Sequence, residues 1–341
     1  KFAKKAMTAS TRFLLKGRRL PIFLGLAMTF LIAWFHVLPP AGIGTLIDRI
    51  DNLLYDQRFS VMPKPLKNPE NKIVVVDIDE RSLQAEGQWP WDRFTLGRLV
   101  EQLESYGVII VGFDITFPEP QRNSKEDLFT RVDVATLEED FVTRMRDIET
   151  ALDADTYMAN ALASRTMDTV LAISFNPVQE VEYGVLPESI VRIDQDVAER
   201  VRLQEMAGYT ANIPVLQENA GGAGIMNQLP DVDGIIRRVP LVVRYKDQLY
   251  PTLALEMARL YFFEDSFELV TYPVGDVEQV EGIRIGRNAG QYELDTDSRA
   301  QVLVPYVGRS VLSGDGQYPY VSAIDVLNGT ADPELLENAL V

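Results

Sequence analysis

The sequence contains no cysteine and a single histidine, His36, among 341 residues. Without cysteine, the chain has no disulfide, thiolate zinc site, iron–sulfur ligation or cysteine nucleophile. One histidine excludes a multi-histidine metal centre, and Ser-His-Asp chemistry would have to use His36 itself.

Basic residues are also in deficit, since 33 Lys and Arg stand against 50 Asp and Glu and the formal net charge is −17. A nucleic-acid partner is therefore not expected, because neutralising phosphates requires surplus Lys and Arg. The apolar fraction of 46% is ordinary for a globular chain and excludes wholesale disorder. The length allows about two domains, or one large domain with appendages.

The N-terminal region has its own charge pattern. Residues 1–19 hold seven basic residues and no acidic one, and residues 20–38 (LPIFLGLAMTFLIAWFHVL) carry no formal charge. As a helix, this apolar run spans about 28 Å, close to the hydrocarbon thickness of a bilayer. We expect a basic cytoplasmic tail over 1–19, a transmembrane helix over 20–38 and export of the chain after Leu38. The alternative is a cleaved signal peptide, whose apolar core is typically shorter.

Residues 41–60 have the pattern of an amphipathic helix. Their apolar residues recur at three- and four-residue spacing: Ile43, Leu46, Ile47, Ile50, Leu53 and Leu54. This stripe either covers the exported domain or forms a stalk that transmits motion to the membrane, and both roles are compatible. A linker rich in Pro and Asn follows at 62–71.

Residues 72–341 have the pattern of one exported α/β domain, with a mixed, largely parallel sheet flanked by helices. KIVVVDID (72–79) and VIIVGFDITF (108–117) are β-rich. Between them lies a helical pattern that ends at Gly107 and whose predicted inner face consists of Leu96, Leu99, Val100, Leu103 and Tyr106. This order predicts a βαβ unit. We expect a third core strand at 170–175, helices in the acidic stretch 124–163, an irregular insertion at 178–204 and a helix in PELLENAL (333–340).

Six polar and aromatic residues form the candidate ligand-binding set. They follow the first two predicted strands, at the sheet edge where open parallel sheets bind ligands: Asp77, Asp79, Trp89, Trp91, Arg93 and Asp114. The carboxylates suit a polar ligand or a hard cation such as Mg²⁺ or Ca²⁺. The tryptophans suit a sugar or another planar ligand.

Structural roles account for the same residues. Asp79 is placed to cap the following helix, Asp77 or Asp114 to pair with Arg93, and the Trp-Pro-Trp segment to close a hydrophobic corner. DVDG (231–234) is partly similar to a calcium loop, but Val242 stands where the closing Glu belongs, which favours a simple turn. The sequence carries no strong catalytic signature, and we predict no catalytic residue and no metal site.

Two blocks of the sequence resemble the type-two CHASE domain, the cyclase/histidine-kinase-associated extracellular sensory domain. In the first block, residues 74–120, the matching parts are DIDERSL, WPWDR, the glycine after the helix and GFDITFPEP. The second block is GIMNQLPDVDGIIRRVPLVV (224–243), which is followed by a proline and a helix containing LALEMARL. The acidic stretch and the later strands match only loosely.

The resemblance implies a bacterial receptor with an inner-membrane anchor, a periplasmic sensory domain and three further membrane helices. Its cytoplasmic output would be a nucleotide cyclase, a histidine kinase or a Ser/Thr kinase, and we favour a class III adenylate cyclase. Mg²⁺ and ATP would belong to that output, and no cofactor is expected in this segment. The sequence starts at Lys1 and ends where the family continues, so we expect a piece of a longer protein.

The expected partners are the membrane, a second copy bound through stalk and ectodomain, and an unknown small ligand or periplasmic protein. Two alternatives stay open. One is a non-catalytic, membrane-anchored assembly or scaffold domain. The other is a periplasmic hydrolase that uses Asp77, Asp79 and Asp114 as catalytic carboxylates.

Overall fold

A computed structural model describes residues 20–37, 43–61, 72–121, 153–228, 230–231, 233–286, 292–306 and 318–341. The predicted basic tail, the linker at 62–71 and most of the acidic stretch 124–163 lie outside these residues. The chain forms two compact units, Lys1–Leu66 with Tyr306–Gly316 and Lys67–Pro305 with Gln317–Val341.

The first unit contains the helices α1 (Leu20–Val37) and α2 (Ile43–Val61). Helix α1 ends two residues before Pro39, in agreement with the inability of proline to continue a helical hydrogen-bond ladder. Its apolar side chains are exposed, with Met28 at 65% and Phe30 at 70%. Across the stretches that the structure describes, no helix has both the length and the hydropathy for crossing a membrane.

The second unit is built from short helices and strands. Its helices are α3 (Glu80–Glu86), α4 (Arg93–Ser105), α5 (Ala154–Leu162), α6 (Gln195–Ala198), α7 (Pro214–Gln217), α8 (Leu253–Tyr261), α9 (Ala323–Leu327) and α10 (Pro333–Leu336). The strands in the first half are β1 (Lys72–Ile73), β2 (Val75–Asp77), β3 (Ile110–Phe113), β4 (Asp168–Asn176), β5 (Glu182–Tyr183), β6 (Val191–Arg192), β7 (Gln204–Met206), β8 (Gly208–Thr210) and β9 (Gly222–Ile225). The later strands are β10 (Arg238–Pro240), β11 (Val242–Tyr245), β12 (Gln248–Pro251), β13 (Phe267–Val274), β14 (Val277–Ile285), β15 (Tyr292–Asp295), β16 (Gln301–Leu303), β17 (Tyr320–Ser322) and β18 (Ala339–Leu340).

The central sheet contains the predicted βαβ unit, with one strand inserted. Strands β1, β18, β3, β4 and β9 pair in parallel in that order, and β2 pairs in parallel with β17. The strand β18 therefore lies between the two strands that were expected to be neighbours. Only Pro333–Leu336 of the predicted C-terminal helix is helical, and a two-residue strand such as β18 is too short to show a periodic pattern.

The sheets are mixed, and the prediction of a largely parallel arrangement is wrong. Strand β4 pairs antiparallel with β8, and the pairs β10–β16, β11–β12, β13–β14 and β14–β15 are also antiparallel. Two-residue loops join β11 to β12 and β13 to β14, with Lys246 at φ 52° and Gly275 at φ 65°. Positive φ at such positions is typical of tight hairpins, which connect antiparallel strands.

Two hydrophobic clusters form the interior of this unit. The first lies between the central sheet and α4, whose predicted inner face is confirmed because Leu96, Leu99, Val100 and Leu103 are all buried. Gly107 follows this helix at φ 78°, a conformation that ends helices and favours glycine. The second cluster gathers β6, β13, β14 and the start of β11, around Phe267, Ile283 and Val242.

Candidate functional site

Asp77 and Asp114 both lie at the carboxyl ends of parallel strands. Asp77 is the last residue of β2, which pairs with β17, and Asp114 directly follows β3 of the central sheet. Both side chains are exposed, and neither has a polar partner within the described residues.

Asp79 caps helix α3 with its carboxylate. Its Oδ1 accepts hydrogen bonds from the Ser82 backbone N–H at 2.9 Å, from Ser82 Oγ at 2.7 Å and from Ser322 Oγ at 2.8 Å. Ser82 is fully buried, and its Oγ accepts a hydrogen bond from the Ile324 N–H at 3.0 Å. One carboxylate thus ties together the N-terminal ends of α3 and α9, which confirms the capping role.

The same contacts fix the charge state of Asp79. The hydrogen bond from Ser82 Oγ, before all other causes, lowers the pKa of Asp79 below its ordinary value of 3.8. Nearby, Arg81 forms two hydrogen bonds, of 3.0 and 2.8 Å, with the Asp325 carboxylate on α9. Asp79 is therefore an anion held by structural donors, which leaves it poorly placed to act as a general base.

The two tryptophans do not form a stacking clamp. Trp91 is buried and donates from Nε1 to the Gly87 carbonyl at 3.0 Å, whereas Trp89 is 42% exposed. Their ring centroids are 6.4 Å apart and the planes are tilted by 54°. Trp91 closes a hydrophobic corner of the first cluster, and the exposed Trp89 ring offers one open face.

Arg93 is engaged by a different carboxylate from the two that the sequence suggested. Its Nε donates to Asp155 Oδ1 at 3.3 Å, and its guanidinium carbon lies 4.3 Å from the centre of the Phe117 ring. The backbone N–H of Gln121 donates to the other carboxylate oxygen, Asp155 Oδ2, at 2.8 Å. These contacts define a corner around Arg93 and Asp155. Burial lowers the pKa of Arg93, and the carboxylate of Asp155 opposes that shift.

The DVDG segment forms a turn held by a buried arginine. Arg237, 2% exposed, contacts Asp231 Oδ2 at 3.0 Å and both carboxylate oxygens of Asp233 at 2.9 and 2.8 Å. The hydrogen bond from Arg237 lowers the pKa of Asp233. The carboxylates that would bind calcium are occupied by this guanidinium, in line with the predicted turn.

The six candidates lie outside four cavities of the domain. These cavities, of about 520, 250, 430 and 550 Å³, are lined by other residues. The described residues contain no group of three Asp, Glu or His side chains arranged to hold a metal ion. Of the six candidates, Asp77, Asp114 and Trp89 are exposed.

A comparison with family models identifies the family of this chain. A family model for the CHASE2 domain matches residues 26–341, most of the chain. The chain belongs to the CHASE2 domain family. CHASE2 is a family of extracellular sensory domains, so the resemblance carried by the two sequence blocks is confirmed. No curated protein and no solved structure matches the chain.

In this CHASE2 domain, Asp79 and Arg93 belong to the first sequence block, but some of the side chains that they contact lie outside that block. Asp155 and Ser322 lie far along the chain from Arg93 and Asp79, and neither was a candidate. A capping pattern precedes Asp155, where Asp153 accepts from Thr156, yet nothing in a single sequence pairs Asp155 with Arg93. The contacts of Arg93 with Asp155 and of Asp79 with Ser322 exist only in the folded structure, which brings these segments together.

Proposed function

We propose that this CHASE2 domain is the ligand-responsive part of a membrane-anchored bacterial receptor. In this proposal the domain lies in the periplasm and regulates a cytoplasmic class III adenylate cyclase, which uses ATP and Mg²⁺. Membership of the CHASE2 family carries the proposal, because its members are extracellular sensory domains. The cyclase output rests on the resemblance of the two sequence blocks.

Helix α1 serves as the anchor in this proposal. It is uncharged, it exposes apolar side chains, and seven basic residues precede it in the sequence. Its 18 residues span about 27 Å, roughly 3 Å less than a typical hydrocarbon core. Local thinning of the bilayer and snorkelling of Lys and Arg accommodate such a mismatch. The basic flank places the N-terminus in the cytoplasm.

The absence of cysteine makes the topology directly testable. We expect an impermeant maleimide to label Val178→Cys, at an 81% exposed position, in cells whose outer membrane alone is permeabilised. The matched variant Ser10→Cys, in the basic tail, should react only after the inner membrane is opened. Equal labelling of both variants in intact cells, or recovery of the protein without membrane extraction, would contradict the anchor.

Helix α2 is the coupling element of the proposed receptor. Ligand binding shifts the population between two arrangements of the ectodomain, and a continuous helix transmits the shift toward the membrane. Four residues inserted after Asn52 rotate the following part by about 40° net and lengthen the helix by about 6 Å. We expect a changed basal cAMP level in cells carrying this full-length receptor.

A seven-residue insertion at the same point is the matched control. It adds about two turns and restores the helix face to within about 20°. We expect it to retain more of the wild-type signal than the four-residue insertion does. Unchanged output with the four-residue insertion would count against coupling through a rigid helix.

Self-association through α2 is the second element of the proposal. Three apolar side chains of its predicted stripe, Ile50, Leu53 and Leu54, are 50 to 60% exposed. We expect Leu53→Cys to form a disulfide-linked dimer in oxidised membranes, and Asp51→Cys, about 200° away around the helix, to remain monomeric. Equal cross-linking of both variants, or of neither, would contradict a stalk dimer.

A further inference from the structure

A cavity of about 550 Å³ lies beside the second hydrophobic cluster, and we call it the arginine cavity. It is lined by residues 199–205, 276–277, 244 and 299. Its volume is in the range that holds small ligands. Three of its arginines, Arg202, Arg244 and Arg299, have no carboxylate partner within 4 Å in the part of the chain that the structure describes.

The fold places Arg244 at the centre of this region. Strand β11 pairs in parallel with β7, so that Arg244 lies opposite Glu205. Alternation along β11 directs Val243 and Tyr245 into the first cluster, and leaves Arg244 on the opposite face with Val242. Arg244 and Glu199 also line a second cavity, of about 250 Å³.

The guanidinium of Arg244 is only partly satisfied. Its Nη2 donates to the carbonyl oxygens of Ala198 at 2.5 Å and Val201 at 3.1 Å. Its Nε is buried and has no acceptor, and it is the only such buried side-chain nitrogen or oxygen among the described residues. A buried donor without a partner is destabilising, so stability alone does not explain why Arg244 is placed here.

The exposed arginines are brought to the cavity by separate segments. Arg202 lies in the loop before β7, next to Val201, which forms a bridge with Glu278 of β14. Arg299 lies in a turn where the Ala300 N–H donates to the Asp297 carbonyl at 3.0 Å. This turn is fixed beside β11, because the Leu241 N–H donates to the Ala300 carbonyl at 2.8 Å.

Arginines at two other cavities contrast with these three. Arg259 gives two hydrogen bonds, of 2.7 and 2.9 Å, to the buried Glu256 carboxylate. Arg284 contacts Glu268 at 2.9 Å and Glu293 at 3.8 Å. Arg192, at the same cavity as Arg284, also lacks a carboxylate partner among the described residues, but it is the only such arginine lining that cavity.

We propose that the arginine cavity binds a small anion through a carboxylate or phosphate group that contacts the guanidinium of Arg244. Arg202 and Arg299 supply the remaining positive charge. The cavity is also lined by Glu199, Glu205 and Asp276, which disfavour polyanions. The inference rests on the proposed sensory function, because it assigns the chemical class of the sensed ligand.

The test uses the full chain in detergent, with inorganic phosphate and succinate as the two probes. Thermal unfolding is followed by tryptophan fluorescence, while chloride keeps the ionic strength constant. We expect a saturable rise in Tm with at least one probe, since a ligand that binds the native state stabilises it. The probe that acts distinguishes a phosphate site from a carboxylate site.

Substitution of the two exposed arginines locates the binding. The double variant Arg202→Gln/Arg299→Gln should weaken the apparent affinity about 10-fold or more, the effect of losing one charge-assisted contact. The control Arg165→Gln/Arg192→Gln removes the same charge from exposed arginines outside the cavity and should leave the affinity unchanged. Arg244→Lys, which keeps the charge but lacks the planar guanidinium, should also weaken binding.

The outcomes separate the site from the receptor proposal. No saturable rise with either probe, or equal weakening in both double variants, would overturn the anion site. This measurement needs neither a cyclase output nor a membrane, so its failure leaves the labelling and insertion experiments to judge the receptor. Binding without any change in cAMP output would support the site and contradict the proposed sensory coupling.

Discussion

The corner around Arg93 and Asp155 and the arginine cavity use charged side chains in opposite ways. In the corner, Arg93 contacts Asp155, and elsewhere Asp79 accepts three hydrogen bonds. Beside the cavity, Arg244 Nε is buried without an acceptor. Three of the six residues that resemble a binding site in the sequence, Asp79, Trp91 and Arg93, hold the fold. Arginines without a carboxylate partner line a cavity that the sequence did not mark.

The largest loss of stability is expected when the buried ion pair between Arg93 and Asp155 is broken. Asp155→Ala removes the partner of Arg93, whose side chain is only 13% exposed, and leaves that charge uncompensated. We expect the free energy of unfolding to fall by about 3 kcal/mol. Urea denaturation followed by the fluorescence of the buried Trp91 measures it.

The control for that substitution is Glu86→Ala. Glu86 lies 3.8 Å from Arg98, whose side chain is 49% exposed, so the loss should stay below about 0.5 kcal/mol. If Asp155→Ala proved as mild as its control, the corner would owe its stability to apolar packing alone.

A smaller loss is expected at the helix cap. Asp79→Ala removes the acceptor for the Ser82 N–H and for two hydroxyl groups, and helix caps contribute about 1–2 kcal/mol to the free energy of unfolding. Asp77→Ala, two residues away and without a described partner, should change it by less than about 0.5 kcal/mol. Equal losses in the two variants would show that capping is not the role of Asp79.

The lowered pKa of Asp79 predicts that the stability of the fold depends on pH. The pKa of Asp79 is lowered in the folded state, chiefly by the hydrogen bond from Ser82 Oγ, so the unfolded state binds this proton more tightly. Its stabilising contribution is present above the ordinary value of 3.8 and is lost as the pH falls through the lowered pKa. Denaturation curves from pH 7 to pH 2 should therefore fall less steeply in acid for Asp79→Asn than for wild type. Parallel curves would contradict this assignment.

The smallest effect is expected in the arginine cavity without ligand. Arg202→Gln/Arg299→Gln removes two exposed cations that have no carboxylate partner, so the free energy of unfolding should stay within about 0.5 kcal/mol of wild type. Urea denaturation in chloride buffer measures it. A loss above about 1 kcal/mol would mean that these arginines stabilise the fold, and the contrast between the two regions would disappear.

Local patterns predicted the elements of this domain better than its long-range pairings. The apolar spacing of Leu96, Leu99, Val100 and Leu103 placed α4 and its buried face, and Gly107 marked its end. The position of Asp79 between a strand and a helix was enough to predict a cap. These features depend on neighbours within a few residues, which a single sequence displays.

The pairings that build the site were beyond such patterns. Arg93 was expected to meet Asp77 or Asp114 at its own sheet edge, but it meets Asp155 on α5. The prediction of a largely parallel sheet was wrong for the second half of the domain. The antiparallel hairpins there are indicated in the sequence only by short turns. Arg244 has no sequence signal at all, since its unpaired Nε results from three segments that converge without supplying an acceptor.

The position of β18 also bears on the order in which the domain is made. This strand fills the place between β1 and β3, yet it is synthesised after every other described strand. A nascent chain can form α3, α4 and β3 early, but the gap in the sheet stays open until residues 339–340 leave the ribosome. Closure then joins Lys72 to Ala339, a contact of high sequence separation that slows folding. Until then, β1 and β3 of the nascent chain have unpaired edges, which can pair with a strand of another molecule.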